Sequence, residues 1–156
     1  MLGSSSCKVN YSFTGASISP EIQTISIDFF ETRAPLAPPI TSQLFTETLK
    51  STFLTQTSLR MVGEQGDLQF SGTITSYVST PAAIQGDNSA ALNMLTISVK
   101  VNFINQKDPS QNFEKIFSNF KNYNSSSNLV DIEEQLISDI SDLISQNIFN
   151  DSVSNW

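Results

Sequence analysis

Apolar residues recur along this chain at two periods. Over residues 24–30 they alternate, with Ile25, Ile27 and Phe29 on one side and Thr24, Ser26 and Asp28 on the other. A period of two marks a strand buried on one face. Residues 68–78 repeat it, with Leu68, Phe70, Ile74 and Val78 against Gln69, Ser71, Thr73 and Thr75. Gly72 interrupts that run, as a bulge or a close approach of another backbone would require. The clearest alternation spans residues 92–105, where Leu95, Ile97, Val99, Val101 and Phe103 oppose Thr96, Ser98, Lys100 and Asn102. Residues 59–62 read as a short strand. Residues 113–123 are aromatic-rich with imperfect alternation and read as an edge strand.

Between Thr41 and Thr55 the period becomes helical, with a stripe of Phe45, Leu49 and Phe53 flanked by Leu44 and Leu54. Thr41 is placed to cap that helix, whose far side carries Gln43, Thr46, Glu47 and Lys50. A second helix starts at Asn128, a good cap, with Asp131 in the first turn where the helix dipole favours an anion. Its stripe is Leu129, Ile132, Leu136, Ile140, Leu143, Ile144 and Ile148, and its wet side holds Glu133, Glu134, Asp139 and Asp142. A helix of ~20 residues is about 30 Å long, enough to cross a four-stranded sheet of ~15 Å. Residues 149–156 read as a tail.

Turn formers separate these elements. Arg33-Ala34-Pro35-Leu36-Ala37-Pro38-Pro39 is a stiff loop, since three prolines forbid helix and central strand. Residues 63–67, 108–110 and 122–128 are polar turns. Residues 79–91 form a long loop with the small apolar patches Pro81-Ala82-Ala83-Ile84 and Ala90-Ala91. Each strand has one apolar face, unlike the all-apolar strands of a parallel sheet covered on both sides. The expected fold is α+β: a single mixed, mostly antiparallel sheet of four to five strands with two helices packed on one face. The other face, lined by Ser, Thr, Asn, Gln and Lys, is expected to be open. No internal repeat is present, and residues 24–156 read as one domain.

Composition narrows the chemistry. The chain has 156 residues, 8 basic and 15 acidic, for a net charge of −7. A nucleic-acid binder uses a basic field to displace counterions, and here no three basic residues cluster. With no histidine and one cysteine, a Ser-His-Asp triad, a histidine-ligated zinc, an internal disulfide and a thiolate cluster are all excluded. Neither a metal nor a cofactor is expected. Asp67, Asp87 and Asp108 are most simply turn residues.

The lone cysteine follows Met1-Leu2-Gly3-Ser4-Ser5-Ser6. Small residues before a cysteine are the pattern of a lipoprotein signal, after which Cys7 would be acylated and become the mature terminus. Ser4 stands where an aliphatic residue is usual, and the alternative is a polar start with an incidental thiol. Residues 8–23 read as a tether. From Cys7 to Thr24 there are 17 residues, a reach of at most about 58 Å at ~3.4 Å each.

Candidate contacts follow from this layout. Thr73, Thr75, Thr96 and Ser98 on the open face, and Pro81, Ala83 and Ile84 in the long loop, are candidate partner-binding residues; solvated surface is the alternative for both. Arg60, Lys100 and Lys121 are candidate phosphate ligands, with solvated charge as the alternative.

An ordered series of segments resembles a known family. Tyr11-Ser12-Phe13-Thr14-Gly15-Ala16-Ser17-Ile18, Thr24-Ile25-Ser26-Ile27, Arg33-Ala34-Pro35-Leu36, Gln56-Thr57-Ser58-Leu59 and Gly66-Asp67-Leu68-Gln69-Phe70 follow one another as in Bacteroidota lipoproteins similar to LptE. Ala83-Ile84-Gln85-Gly86, Leu95-Thr96-Ile97-Ser98-Val99-Lys100-Val101, Ile148-Phe149-Asn150 and Ser154-Asn155-Trp156 continue the series. The resemblance covers nearly the whole chain after Cys7. It implies an α/β fold with two helices on a mixed sheet, anchoring to the outer membrane through lipid on Cys7, and a non-enzymatic role. That role is to assist assembly of the LptD β-barrel, to plug it, and to help insert lipopolysaccharide into the outer leaflet. Lipopolysaccharide is therefore an expected partner and nucleic acid is not. The competing expectations are a periplasmic adaptor that binds glycolipid or peptidoglycan without a barrel partner, and an enzyme working with carboxylates alone.

Overall fold

The computed structural model describes residues 18–82 and 91–153. Its elements are β1 (Thr24–Ile27), β2 (Glu31–Thr32), α1 (Ile40–Gln56), β3 (Arg60–Met61), β4 (Leu68–Pro81), β5 (Leu92–Asn105), β6 (Phe113–Asn124) and α2 (Leu129–Val153). One six-stranded sheet runs in the order β3-β1-β4-β5-β6, with β2 also paired to β4. The β3-β1, β1-β4 and β2-β4 pairings are parallel, and the two long ones, β4-β5 and β5-β6, are antiparallel. The expected α+β class holds, with one strand more than the pattern indicated.

The extra strand comes from a single inserted residue. Ile27 lies opposite Phe70 and Glu31 opposite Thr73, so four steps along one chain match three along the other. The excess residue turns Phe30 into the core, where it is fully buried, and leaves Phe29 58% exposed. The expected inward placing of Phe29 is thus corrected. Phe30 seats against Phe45 of α1, ring centroids 5.2 Å apart, and its amide donates to Thr46 Oγ1 at 3.0 Å.

Gly72 lies where two backbones nearly touch. A Cβ there would meet the Lys100 carbonyl oxygen at 1.9 Å and the Phe30 ring at 2.7 Å. A second extra residue, Thr75, shifts the β4-β5 register between Ile74 and Ser76. Beyond it the alternation changes phase: Tyr77 faces the core at 5% exposure and Val78 faces outward at 43%. Val78 was expected inside, and the bulge is the reason it is not.

Both helices cover one side of the sheet. Phe53 of α1 meets Phe70 of β4 at 4.9 Å and Phe149 of α2 at 5.1 Å, and Phe70 stacks on Phe103 of β5 at 4.8 Å. Gln56 and Gln146 join the helices through their amides at 2.8 Å. The inward residues of β5 all lie at 2% exposure or less, as their alternation predicts.

The helix ends depart from expectation in two places. The α1 cap position is Pro39, with no side-chain cap bond. Thr41 sits buried inside the first turn with its hydroxyl unpartnered, so it is not the cap. Asn128 does cap α2, accepting from the Val130 amide at 3.3 Å. That helix continues through Val153 and buries Phe149, Ser152 and Val153, so residues 149–153 are helix rather than tail. Leu143 and Leu54, expected on or beside the stripes, are 41% and 45% exposed.

Candidate partner-binding face

The side of the sheet away from the helices is open, and register fixes what it presents. Rows of residues run across β4, β5 and β6: Val78–Thr96–Phe120, then Ser76–Ser98–Ser118, then Thr73–Lys100–Ile116. Thr73, Thr96 and Ser98, three of the candidate contacts, therefore share one surface. Thr75 lies exposed at the bulge beside them and donates from Oγ1 to the Ser98 carbonyl at 3.3 Å. The Ser98 and Ser118 hydroxyls are 2.6 Å apart. Pro81 ends β4, exposed and opposite Asn93. Ala83, Ile84 and Cys7 lie outside the described residues.

This face is less uniformly polar than expected. Ile116 (64% exposed), Phe120 (47%), Val78 and Ile104 (39%) all project from it. The inward residues of β6 are Phe113, Phe117 and Tyr123, which puts the even-numbered Ile116 and Phe120 outside. That parity was available in the sequence once the strand was counted from its buried aromatics. The outward Val78 was not, because nothing in the chain announces the Thr75 bulge.

The three candidate phosphate ligands do not form one site. Arg60 lies opposite Thr24 near one edge of the sheet. Lys100 is mid-strand on the open face, paired with Glu114 at 2.8 Å. Lys121 lies opposite Leu95, on the parity of the helix side. The neighbouring inward lysine, Lys115, binds Asp151 of α2. Lysines turned inward on an edge strand discourage another chain from adding to it.

Charge is distributed unevenly. α2 contains six acidic residues and no basic ones, so nearly all of the net −7 sits on this helix. Asp67 is the acid most engaged by backbone. Its carboxylate accepts from the amides of Gln23 at 2.8 Å and Thr24 at 3.1 Å, tying the turn before β4 to the start of β1. The Gln23 bond leads in lowering its pKa below the ordinary 3.8. On the covered face Tyr77 donates to Glu133, and burial, ahead of that bond, raises the tyrosine's pKa.

The two helices also border a surface groove of about 570 Å³, lined by residues including Glu47, Ser51, Thr52, Asp142 and Gln146. Among the described residues no cluster of acids and cysteine could hold a metal, and no helix is long and apolar enough to cross a membrane.

The described residues thus form an α+β body with one covered and one bare sheet face. The comparisons agree with that class and go further. A family model described as LptE, lipopolysaccharide-assembly, matches residues 22–152, and the chain belongs to that family of envelope lipoproteins. Among solved structures, a minor lipoprotein from Acinetobacter baumannii is 12% identical, with a TM-score of 0.51 over 82% of this chain and 90% of that one. A lipoprotein from Caulobacter crescentus is 13% identical, with a TM-score of 0.51 over 85% and 89%. A Xanthomonas campestris protein is 12% identical, with a TM-score of 0.53 over 86% and 91%. At these identities the neighbours show the fold alone. No curated protein sequence matches.

Proposed function

We propose that this domain docks by its bare sheet face against the inner wall of an LptD-type outer-membrane β-barrel. There it plugs the barrel, assists its assembly and supports insertion of lipopolysaccharide into the outer leaflet. The observation that carries this reading is the bare face itself, exposed Val78, Ile116 and Phe120 set among hydroxyls, in a chain of the lipopolysaccharide-assembly family. Barrel lumens are polar, and a hydroxyl-bearing sheet with scattered apolar anchors suits such a wall. Thr73, Thr75, Thr96 and Ser98 make the central contacts, with Pro81, Ala83 and Ile84 at the rim. Lipid on Cys7 anchors the chain on the periplasmic side of the outer membrane. Two or more acyl chains hold stably where one holds marginally. Arg60, Lys100 and Lys121 serve as separate lipopolysaccharide contacts. The reading needs no catalytic residue.

Affinity purification from outer membrane tests it. A barrel protein recovered in one-to-one amount is expected, and a domain that comes out alone while retaining lipid would overturn the plug. That second result would favour an adaptor for glycolipid or peptidoglycan, for which the hydroxyl-lined groove between the helices is the available seat. Changing Cys7 to Ala is expected to release the protein from the membrane fraction.

A further inference from the structure

The bare face carries almost no charge. β4 contains no ionisable acid or base, β5 contains Lys100 alone, and β6 contains Glu114, Lys115 and Lys121. Lys115 and Lys121 stand opposite Val101 and Leu95, on the parity of the covered side. Lys100 and Glu114 are therefore the ions that these three strands turn outward. Lys100 sits mid-strand in β5, the middle strand of the three, and Glu114 reaches it diagonally from its place opposite Asn102. The Lys100 Nζ and Glu114 Oε2 atoms are 2.8 Å apart, so the two charges cancel locally. Glu31 of β2, opposite Thr73, lies at the flank. The acids of α2 lie on the other side of the sheet.

In the free domain both partners are about half exposed, and such a pair adds little to folding. A docked surface changes its weight. Docking strips water from both groups, and a charge left there without its partner costs far more than a paired one. Charges at the rim of an interface keep their water and matter little. Lys100 is not at a rim. Thr73 and Ile116 flank it on the neighbouring strands, and the Ser76–Ser98–Ser118 row lies one step along, about 7 Å away. The exposed apolar groups Ile116 and Phe120 stand on either side of that serine row.

We propose that Lys100 and Glu114 act as a neutralising pair at the centre of the docking face, and that the patch of barrel wall they meet is uncharged. The inference rests on the docking proposed above and adds the chemistry of the partner at that place: apolar, hydroxyl and amide side chains rather than acids or bases. Docking is then insensitive to ionic strength. Salt screens exposed charges and leaves apolar contact and neutral hydrogen bonds in place. The pair acts through its sum, so both residues may be charged or neither, but not one alone. In the docked domain Lys100 is held by Glu114, and a phosphate contact at Lys100 belongs to the undocked domain.

The test is affinity purification of the full chain from outer membrane, reading the ratio of LptD-type barrel to bait. For the parent chain, washes at about 0.05 M and about 0.5 M NaCl are expected to leave ratios within about threefold of each other. Glu114→Gln and Lys100→Met each leave one charge alone, and each is expected to lower recovery about tenfold or more. The double variant, and the exchanged pair Lys100→Glu with Glu114→Lys, are expected to recover barrel within about threefold of the parent. Urea midpoints matching the parent's show that every variant is folded. Three results would overturn the proposal: Glu114→Gln recovering as much barrel as the parent, the parent losing its barrel in the high-salt wash, or the exchanged pair failing to recover it, which would mean a charged group of the wall against Lys100. A parent chain that recovers no barrel at either salt overturns the docking itself, and the neutralising pair with it.

Discussion

The two faces of β4, β5 and β6 are built from alternate residues of the same strands, yet they obey different rules. On the covered face Leu95, Ile97, Val99, Val101 and Phe103 are sealed by the helices. One lattice step away, Thr96, Ser98 and Lys100 share their side with Phe120 and Ile116. The covered face is filled to the density of a crystal, so each methylene there counts toward stability. The bare face bears little on folding, and its composition is free to answer to a partner. The contrast assigns folding to one residue parity and leaves the other available for the proposed docking.

The sharpest way to break the contrast is at Gly72, where the faces have no thickness to spare. Gly72→Val would drive a side chain into the Lys100 carbonyl and the Phe30 ring. A loss of about 3 kcal/mol or more is expected, read by urea denaturation; a loss under about 1 kcal/mol would show that the β4-β5 approach relaxes easily. Next come paired truncations. Ile97→Ala on the covered face should cost about 2–5 kcal/mol. Phe120→Ala on the bare face should shift stability by no more than about 0.5 kcal/mol while lowering recovery of the proposed barrel partner at least tenfold. Equal stability losses from the two would erase the distinction.

Acid titration probes the margin of the sheet. The backbone bonds of Asp67 depress its folded-state pKa below that of the unfolded chain. Its contribution is therefore present above pH 3.8 and is lost as pH falls through the folded value. Asp67→Asn should flatten that part of the acid-unfolding curve, and a curve identical to the parent would remove Asp67 as a pin. The smallest effect belongs to Lys100→Ala. Its pair with Glu114 is about half exposed on both sides, and such pairs are worth about 0–1 kcal/mol. A larger loss would mean the bare face carries folding energy after all.

Much of this was legible in the chain. The buried set of β5 and most of both helix stripes, Leu143 and Leu54 excepted, follow from period alone, because a residue with nowhere else to put its apolar surface reports its own direction. The cap at Asn128 follows from local chemistry in the same way. What the pattern did not disclose are the one-residue insertions at the Ile27–Glu31 step and at Thr75. An insertion changes which parity is inward and leaves composition untouched, so Phe29 and Val78 were assigned to the wrong face. The bare face was foreseen as hydroxyl-rich, and its hydroxyl rows are there. Its two β6 members, Ile116 and Phe120, were missed because the aromatics of that strand point both ways, Phe113 and Phe117 inward and Phe120 outward.

The Thr75 bulge behaves like a shifted reading frame. Substituting that residue would be mild, since the side chain lies in solvent. Deleting it would restore the frame: Ser76 would follow Ile74 opposite Ser98, and Tyr77 would stay opposite Ile97 on the covered face. The pairing thus tolerates loss of this residue as well as a change of letter, and relatives are expected to vary in length here while keeping the equivalent of Tyr77 inside.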